Sequence, residues 1–202
     1  MKYPVTDGRT RRGIANREAI LRAAREIFLE NGFDDNTMLE ISQRAGVGYG
    51  TLYTHFKGKD DILRCLIDEI ASDFDHLVNI PYRPENAKEV EERIAQEITY
   101  LLNLALKHRD ILKVAYQAMG QSQVIKDHWD LIFERYINKS IEDYSYSFEK
   151  GLTKTGLTPH IVAKVCVFII KEFFWDVVLE KEFDIDKIGK EVSYIFLHGA
   201  YR

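Results

Sequence analysis

Hydrophobic residues recur along this chain at intervals of three and four, which is the spacing of one face of an α-helix. The first such stripe consists of Ile20, Ala24, Ile27 and Phe28, and it predicts a helix over residues 15–30. Comparable patterns predict eight further helices, over residues 37–45, 49–55, 59–79, 85–107, 111–119, 122–151, 159–180 and 184–200. The pattern therefore predicts an all-α protein of about nine helices.

Residues 37–56 combine two short predicted helices with a glycine turn. Thr37 and Glu40 have the Ser/Thr-x-x-Glu spacing of a capping box, so a helix is expected to begin here. The residues expected on its buried side are Leu39, Ile41 and Ala45. Gly46 tolerates the positive φ that a tight turn between helices needs. Two short helices joined in this way are the outline of a helix-turn-helix, whose second helix enters the major groove of DNA.

The same region resembles a known family. The residues that carry the resemblance are those at positions 20–28, Gly32-Phe33, Ile41, Ala45-Gly46-Val47, Gly50-Thr51-Leu52-Tyr53, His55-Phe56 and Lys59. Their order and spacing resemble the N-terminal domain of tetracycline-repressor-type (TetR-type) regulators. Gly48 stands where that family commonly has serine, so a hydroxyl cap is missing at the start of the second short helix.

The resemblance implies two domains. A three-helix, helix-turn-helix DNA-binding domain is expected at residues 1–57, and a helical ligand-binding and dimerisation domain is expected at residues 58–202. Residues 1–13 contain proline and glycine and are rich in arginine, so they are predicted to form a flexible basic arm. The alternative for that arm is a disordered tail without a role.

The outward face of the second short helix contains no Asp or Glu, which suits a surface that approaches phosphate groups. By resemblance, Tyr49 reads bases, and Gly50 allows the backbone to approach the DNA closely. Tyr53 has the alternative of packing beneath the first helix, and His55 that of capping a helix end. The full set of predicted DNA-binding residues is Thr37, Arg44, Tyr49, Gly50, Thr51, Tyr53, His55 and Lys59.

The predicted helix over residues 159–180 is apolar around much of its circumference, so partners are expected on two of its faces. With the last helix, it resembles the dimer interface of the family, to which each subunit contributes two helices. The residues expected in this interface are Val165, Phe168, Ile169, Phe173, Val192, Ile195 and Phe196. The alternative is that both helices pack within one subunit.

Aromatic residues in the second part of the chain exceed what a minimal core requires. Tyrosine and tryptophan combine apolar bulk with one polar atom, a combination typical of small-molecule sites. The candidate pocket residues are Tyr100, Tyr116, Trp129, Phe133, Tyr136 and Trp175. Plain core packing is the alternative for each of them.

Charge is distributed unevenly along the 202 residues, whose net charge is −4. Residues 1–25 contain seven Lys or Arg and only two acidic residues, as expected of a protein that touches DNA at one end.

The two cysteines, Cys65 and Cys166, form no CxxC pair, so neither a metal site nor a cofactor is expected. The N-terminus lacks the apolar segment of a signal peptide, and the longest apolar run, residues 165–170, is too short to span a bilayer. We therefore expect a soluble cytoplasmic protein.

These features predict a ligand-responsive transcriptional regulator, by family habit a repressor. A homodimer would bind a palindromic double-stranded operator with two recognition helices about 34–36 Å apart, and a small, largely apolar effector would release it. The chain contains no HExxH, P-loop, GxSxG or dinucleotide fingerprint, so an enzyme is not expected. The alternative is an effector-independent DNA-binding or accessory protein whose C-terminal domain only dimerises.

Overall fold

The computed structural model describes residues 8–153, 156–179, 182 and 184–198, and throughout these ranges every regular element is an α-helix. The nine helices are α1 Gly8–Asn31, α2 Met38–Ala45, α3 Tyr49–His55, α4 Lys59–Asn79, α5 Ala87–Lys107, α6 Arg109–Met119, α7 Gln123–Glu149, α8 Pro159–Val178 and α9 Ile185–His198. The predicted all-α fold is confirmed. None of the described helices is long and apolar enough to cross a membrane.

The chain forms two compact units. Among the described residues, those within Met1–Glu69 and Asp110–His128 form the first unit, and those within Ile70–Arg109 and Trp129–Arg202 form the second. Residues of α4 and of α7 therefore belong to both units. A domain boundary between residues 57 and 58 stays a prediction.

Helices α1, α2 and α3 form the core of the first unit around the predicted apolar stripe. Ile20, Ile27 and Phe28 of α1 are buried, together with Ile41 of α2 and Leu52 of α3. Each of the three helices therefore contributes one apolar face to a shared core. The sequence pattern is sufficient to explain this packing.

Two local predictions for the first unit are wrong. Residues 8–13 belong to α1 instead of a flexible arm, because arginine is a good helix former and one interior glycine is tolerated at a cost of about 1 kcal/mol. Residues 1–7 lie outside the described part of the chain. Leu39 is 50% exposed, because positions 38, 41 and 42 share the buried face of α2 and position 39 lies about 200° around the helix from Ile41.

Helix α5 packs against α8 and α9 in the second unit. Gly189 of α9 makes one of these contacts possible, because a Cβ atom there would lie 2.9 Å from the carbonyl oxygen of Ala95 and still closer to the Thr99 hydroxyl. An aromatic cluster fills the space between α4, α7 and α8. Its rings include Phe74, Trp129 and Phe174, with centroids of Phe74 and Phe174 5.9 Å apart.

Candidate nucleic-acid interface and effector cavity

The predicted capping box at the start of α2 is confirmed. The Glu40 amide donates to Thr37 Oγ1 over 3.2 Å, and the Thr37 amide donates to Glu40 Oε2 over 2.7 Å. Gly46 ends the helix with φ 66°, and its amide donates to the Gln43 carbonyl. This left-handed conformation requires glycine, and it turns the chain so that α3 begins at Tyr49.

Helix α3 buries a narrow face and exposes the rest. Leu52 and the C-capping Phe56 are buried, whereas Tyr49 and Tyr53 are 49% and 45% exposed. The two tyrosine hydroxyls lie 3.2 Å apart, and their rings pack edge to face with centroids 4.9 Å apart. The hydrogen bond from Tyr49 raises the pKa of Tyr53. The two tyrosines therefore form one paired, outward surface.

The rest of the α3 surface is small and uncharged. The helix has no acidic residue, and its N-cap, Gly48, offers no side-chain cap to the first amides. A Cβ atom at Gly50 would meet no atom within 4 Å, so this glycine is not required by packing inside the protein. Thr54 Oγ1 donates to the Gly50 carbonyl over 2.9 Å. The surface can thus approach another molecule closely without a carboxylate in the way.

Lys59 and Arg44, two of the predicted phosphate ligands, have protein partners in the first unit. The Lys59 ammonium donates to the carbonyl oxygens of Phe33 and Asp34 over 2.9 and 3.0 Å. An ammonium has three N–H donors, so one remains. Arg44 makes two hydrogen bonds of 2.9 Å to Glu30, and this pairing lowers the pKa of the Glu30 carboxyl.

The remaining predicted contacts differ in exposure. Thr37, with its hydroxyl engaged in the capping box, is exposed at the start of α2. Thr51 and His55 are half-buried, and His55 lies in the last turn of α3. Sequence reasoning missed Arg17, whose guanidinium lies 4.8 Å from the Phe56 ring centroid and donates to Cys65 Sγ over 3.1 Å. These partners are far apart in sequence, so no local pattern indicates the contact.

A cavity of about 100 Å³ lies in the second unit between residues of α4, α5, α7 and α8. Its apolar and aromatic lining consists of Phe74, Ile94, Ile98, Leu101, Trp129, Ile132, Phe133, Tyr136, Val167, Ile170 and Phe174. Its polar lining consists of Glu97, Lys139, Ser140 and Asp143. The cavity is thus mainly apolar, with a few polar groups, as small-molecule sites are.

Three of the six candidate pocket residues, Trp129, Phe133 and Tyr136, line this cavity. Trp175 is buried and contacts Trp129 edge to face, with centroids 5.2 Å apart, but it does not line the cavity. Tyr100 is exposed and donates to the Asp73 carbonyl over 3.4 Å. Tyr116 is exposed on α6 of the first unit. The structure therefore brings three of the six candidate pocket residues together around one cavity.

The polar lining forms two ion pairs that sequence reasoning missed. Arg93 Nε lies 2.5 Å from Glu97 Oε1, and Lys139 donates to the Asp143 carboxylate. Burial raises the pKa of both carboxyl groups, although the paired cations act in the opposite direction. The i,i+4 spacing of each pair is detectable in the sequence, but exposed helix surfaces commonly carry the same pattern.

Two buried polar atoms of the cavity lining have no hydrogen-bond partner within the described residues. They are Trp129 Nε1 and the Tyr136 hydroxyl. Burial is the main cause that raises the pKa of Tyr136, so its hydroxyl keeps its proton. Among the described residues, no group of three His, Cys, Asp or Glu side chains could hold a metal ion. Burial also raises the pKa of the Cys166 thiol to about 12, so this cysteine is unreactive at neutral pH.

The predicted interface residues range from exposed through half-buried to buried. Phe168 is 64% exposed, and with Ile161 and Val165 it forms an exposed stripe at i, i+4 and i+7 on α8. Ile195 of α9 is also exposed, whereas Val192 is buried. Ile169, Phe173, Val192, Ile195 and Phe196 line a groove of about 470 Å³ between α8 and α9. A continuous apolar stripe of this kind commonly marks a binding surface.

Comparison with known sequences finds similarity to one family within the first unit. Residues 20–66 match the family described as bacterial regulatory proteins, tetR family. The fatty acid metabolism regulator protein of Bacillus subtilis is 25% identical over 187 residues, which cover 90% of this chain and 94% of the relative. The transcriptional repressor BepR of Brucella suis is 49% identical over 51 residues, which cover 25% of this chain and 24% of that protein.

Solved structures share the same fold. The regulator FadR from Bacillus subtilis, in complex with stearoyl-CoA, superposes with a TM-score of 0.70 at 21% identity and covers 91% of this chain and 99% of its own. A complex of SmeT with triclosan superposes with a TM-score of 0.69 at 19% identity and covers 89% of this chain and 90% of its own. At these identities the similarity establishes the arrangement of helices.

Proposed function

We propose that the chain is a TetR-type transcriptional regulator, a ligand-responsive repressor that binds a palindromic operator as a homodimer. The observation that carries this proposal is the outward face of α3, where an exposed tyrosine pair and Gly50 stand without any carboxylate. A homodimer would present two copies of this face to successive major grooves. Operator DNA would place the protein in the cytoplasm.

Base recognition would come from the outward residues of α3, and phosphate contacts would surround them. Tyr49, Gly50 and Thr51 are the proposed base-reading or close-approach residues, and Tyr53 and His55 the proposed backbone contacts. Thr37, with the amides at the start of α2, would bind a phosphate at a helix N-terminus. Lys59 would use its remaining N–H donor, while Arg44 would have to leave Glu30 to reach DNA.

An effector in the cavity of the second unit would relieve repression. Two structures of the same fold are complexes with stearoyl-CoA, which has a long apolar acyl chain, and with triclosan, which is largely apolar. Helix α4 supplies a link, because it starts with Lys59 in the first unit and carries Phe74 of the cavity lining in the second. A ligand that alters α4 would by linkage oppose DNA binding, and DNA would oppose the ligand equally. The cavity would bind the effector without converting it.

The test is selection of double-stranded DNA by the purified protein from a random library, followed by footprinting of the selected sequences. We expect a palindrome whose half-site centres lie about 10 base pairs apart, or a multiple of that distance. Failure to enrich any sequence would refute the proposal of a DNA-binding repressor. Specific binding that no small molecule reverses would support the effector-independent regulator instead.

A further inference from the structure

Two residues that line the cavity of the second unit each have a buried hydrogen-bond donor without a partner among the described residues. Trp129 is 2% exposed, and its Nε1–H has no acceptor among the described residues. The buried hydroxyl of Tyr136 also has no partner in this part of the chain. Both residues line the cavity. Because buried donors are nearly always hydrogen-bonded, two unpaired donors on residues that line one apolar cavity indicate a ligand group that accepts hydrogen bonds.

The charged groups at the same cavity already neutralise one another. Arg93 pairs with Glu97, and Lys139 pairs with Asp143. A ligand carboxylate would be repelled by the two protein carboxylates, and a ligand ammonium would compete with the existing cations. Breaking either ion pair would leave a partly buried charge without its partner, which is strongly unfavourable. The cavity therefore disfavours ligands of either charge.

We propose that the effector carries an uncharged hydrogen-bond acceptor on an apolar body, and that Trp129 Nε1–H and the Tyr136 hydroxyl bind this acceptor. The inference rests on the proposed role of the cavity as the effector site. An indole N–H only donates, so the ligand atom opposite Trp129 is an acceptor such as a carbonyl, ether or hydroxyl oxygen. Phe74, Phe133 and Phe174 would cover the apolar body.

The size of the cavity determines the choice of probes. Its volume of about 100 Å³ is somewhat below the ~150 Å³ of an engineered cavity that binds benzene. Compounds with one aromatic ring are therefore of the appropriate size, and small movements of the lining side chains would admit them. Four compounds share one aromatic ring and differ in their polar group. Acetophenone has a neutral acceptor and toluene has no polar group. Benzoate is an anion and benzylammonium is a cation.

The experiment measures the affinity of these four compounds for the full chain by calorimetry. We expect acetophenone to bind at least about tenfold more tightly than benzoate or benzylammonium, since the ions must break an ion pair. Trp129→Phe and Tyr136→Phe should each weaken acetophenone about three- to tenfold, as expected for one hydrogen bond, and leave toluene unchanged. Trp175→Phe is the matched control, because Trp175 contacts Trp129 without lining the cavity.

Several results would overturn the inference. One is that benzoate or benzylammonium binds as tightly as acetophenone, and another is that the two variants weaken toluene binding as much as acetophenone binding. A lower melting temperature of ligand-free Tyr136→Phe would indicate that the hydroxyl already has a partner, whereas removal of an unpaired donor should leave the value unchanged or higher. If no probe binds but the protein still selects an operator, this inference fails and the DNA-binding proposal stands.

Discussion

At the residue scale, several polar groups proposed to contact DNA also have structural partners. Lys59 donates hydrogen bonds to the carbonyl oxygens of Phe33 and Asp34, and Arg44 donates to the Glu30 carboxylate. Their substitution therefore changes the protein as well as its DNA contacts. Tyr49 differs from them, because its described hydrogen bond is to Tyr53, another residue of the same exposed surface. Stability and DNA affinity therefore have to be measured separately for variants of Lys59 and Arg44.

Lys59→Ala should have two effects. It should weaken binding to all DNA sequences about equally and lower the salt dependence by about one counterion, because one phosphate contact is lost. It should also reduce the free energy of unfolding by about 1–2 kcal/mol, since two carbonyl groups lose a charged donor. Affinity at several salt concentrations and urea unfolding measure these effects. Lys57→Ala, at an exposed neighbouring position, is the control for stability, and an unchanged salt slope for Lys59→Ala would refute the phosphate contact.

Tyr49→Ala should change which operator is preferred, because contacts to bases carry specificity. We expect the discrimination against single-base variants of the selected operator to fall by about 1–3 kcal/mol at one position of each half-site. Fluorescence anisotropy with a set of operator variants measures this change. Tyr116→Ala, which removes another exposed tyrosine of the first unit, should leave the preference unaltered. If Tyr49→Ala lost the same affinity for every operator variant, Tyr49 would contact the DNA backbone instead of a base.

At the element scale, local sequence signals identify most of the fold. Apolar periodicity predicts every described helix, and the capping box and Gly46 predict both ends of α2, because these signals depend on neighbouring residues. The start of α1 and the exposed position of Leu39 were missed. The first depends on where a helix begins, and the second on which positions share the buried face, since neighbouring positions differ in direction by about 100°. Helix boundaries are therefore less predictable than the helices themselves.

Gly189 and Gly13 provide a pair of substitutions with opposite expected effects. Gly189→Ala should lower the free energy of unfolding by about 1–3 kcal/mol, because its Cβ would collide with α5 and force α9 away. Gly13 lies inside α1 with no atom near the position of a Cβ, so Gly13→Ala should raise stability by about 0.5–1 kcal/mol. Chemical denaturation measures both. A stabilising Gly189→Ala would contradict the close approach of α9 to α5.

At the scale of the whole molecule, the cavity shows where sequence reasoning stops. Trp129, Phe133 and Tyr136 were identified from their chemistry, but nothing local distinguishes them from Tyr100 or Tyr116. The lining comes from four helices far apart in the chain, so tertiary packing decides which aromatic residues meet. The ion pairs beside the cavity were missed for the same reason, since their i,i+4 spacing does not reveal burial.

The proposed homodimer makes a prediction at this scale. Phe168→Asp should convert the dimer to a monomer, because it places a carboxylate in the exposed apolar stripe on α8. Leu131→Asp, at a comparably exposed position on α7 outside the predicted interface, should leave the dimer intact. Sedimentation velocity at micromolar concentration distinguishes the two species. A dimeric Phe168→Asp protein would place the subunit contact elsewhere.

The narrow buried face of α3 has a further consequence. Leu52 and Phe56 anchor this helix, while Tyr49, Gly50, Tyr53 and Thr54 stay outside the core. The outward positions can therefore be randomised with little effect on folding, as is usual for surface substitutions. A library at these positions would yield folded repressors with divergent operators. On the proposed function, α3 would be an exchangeable DNA-reading helix from which mutually independent switches for genetic circuits could be built.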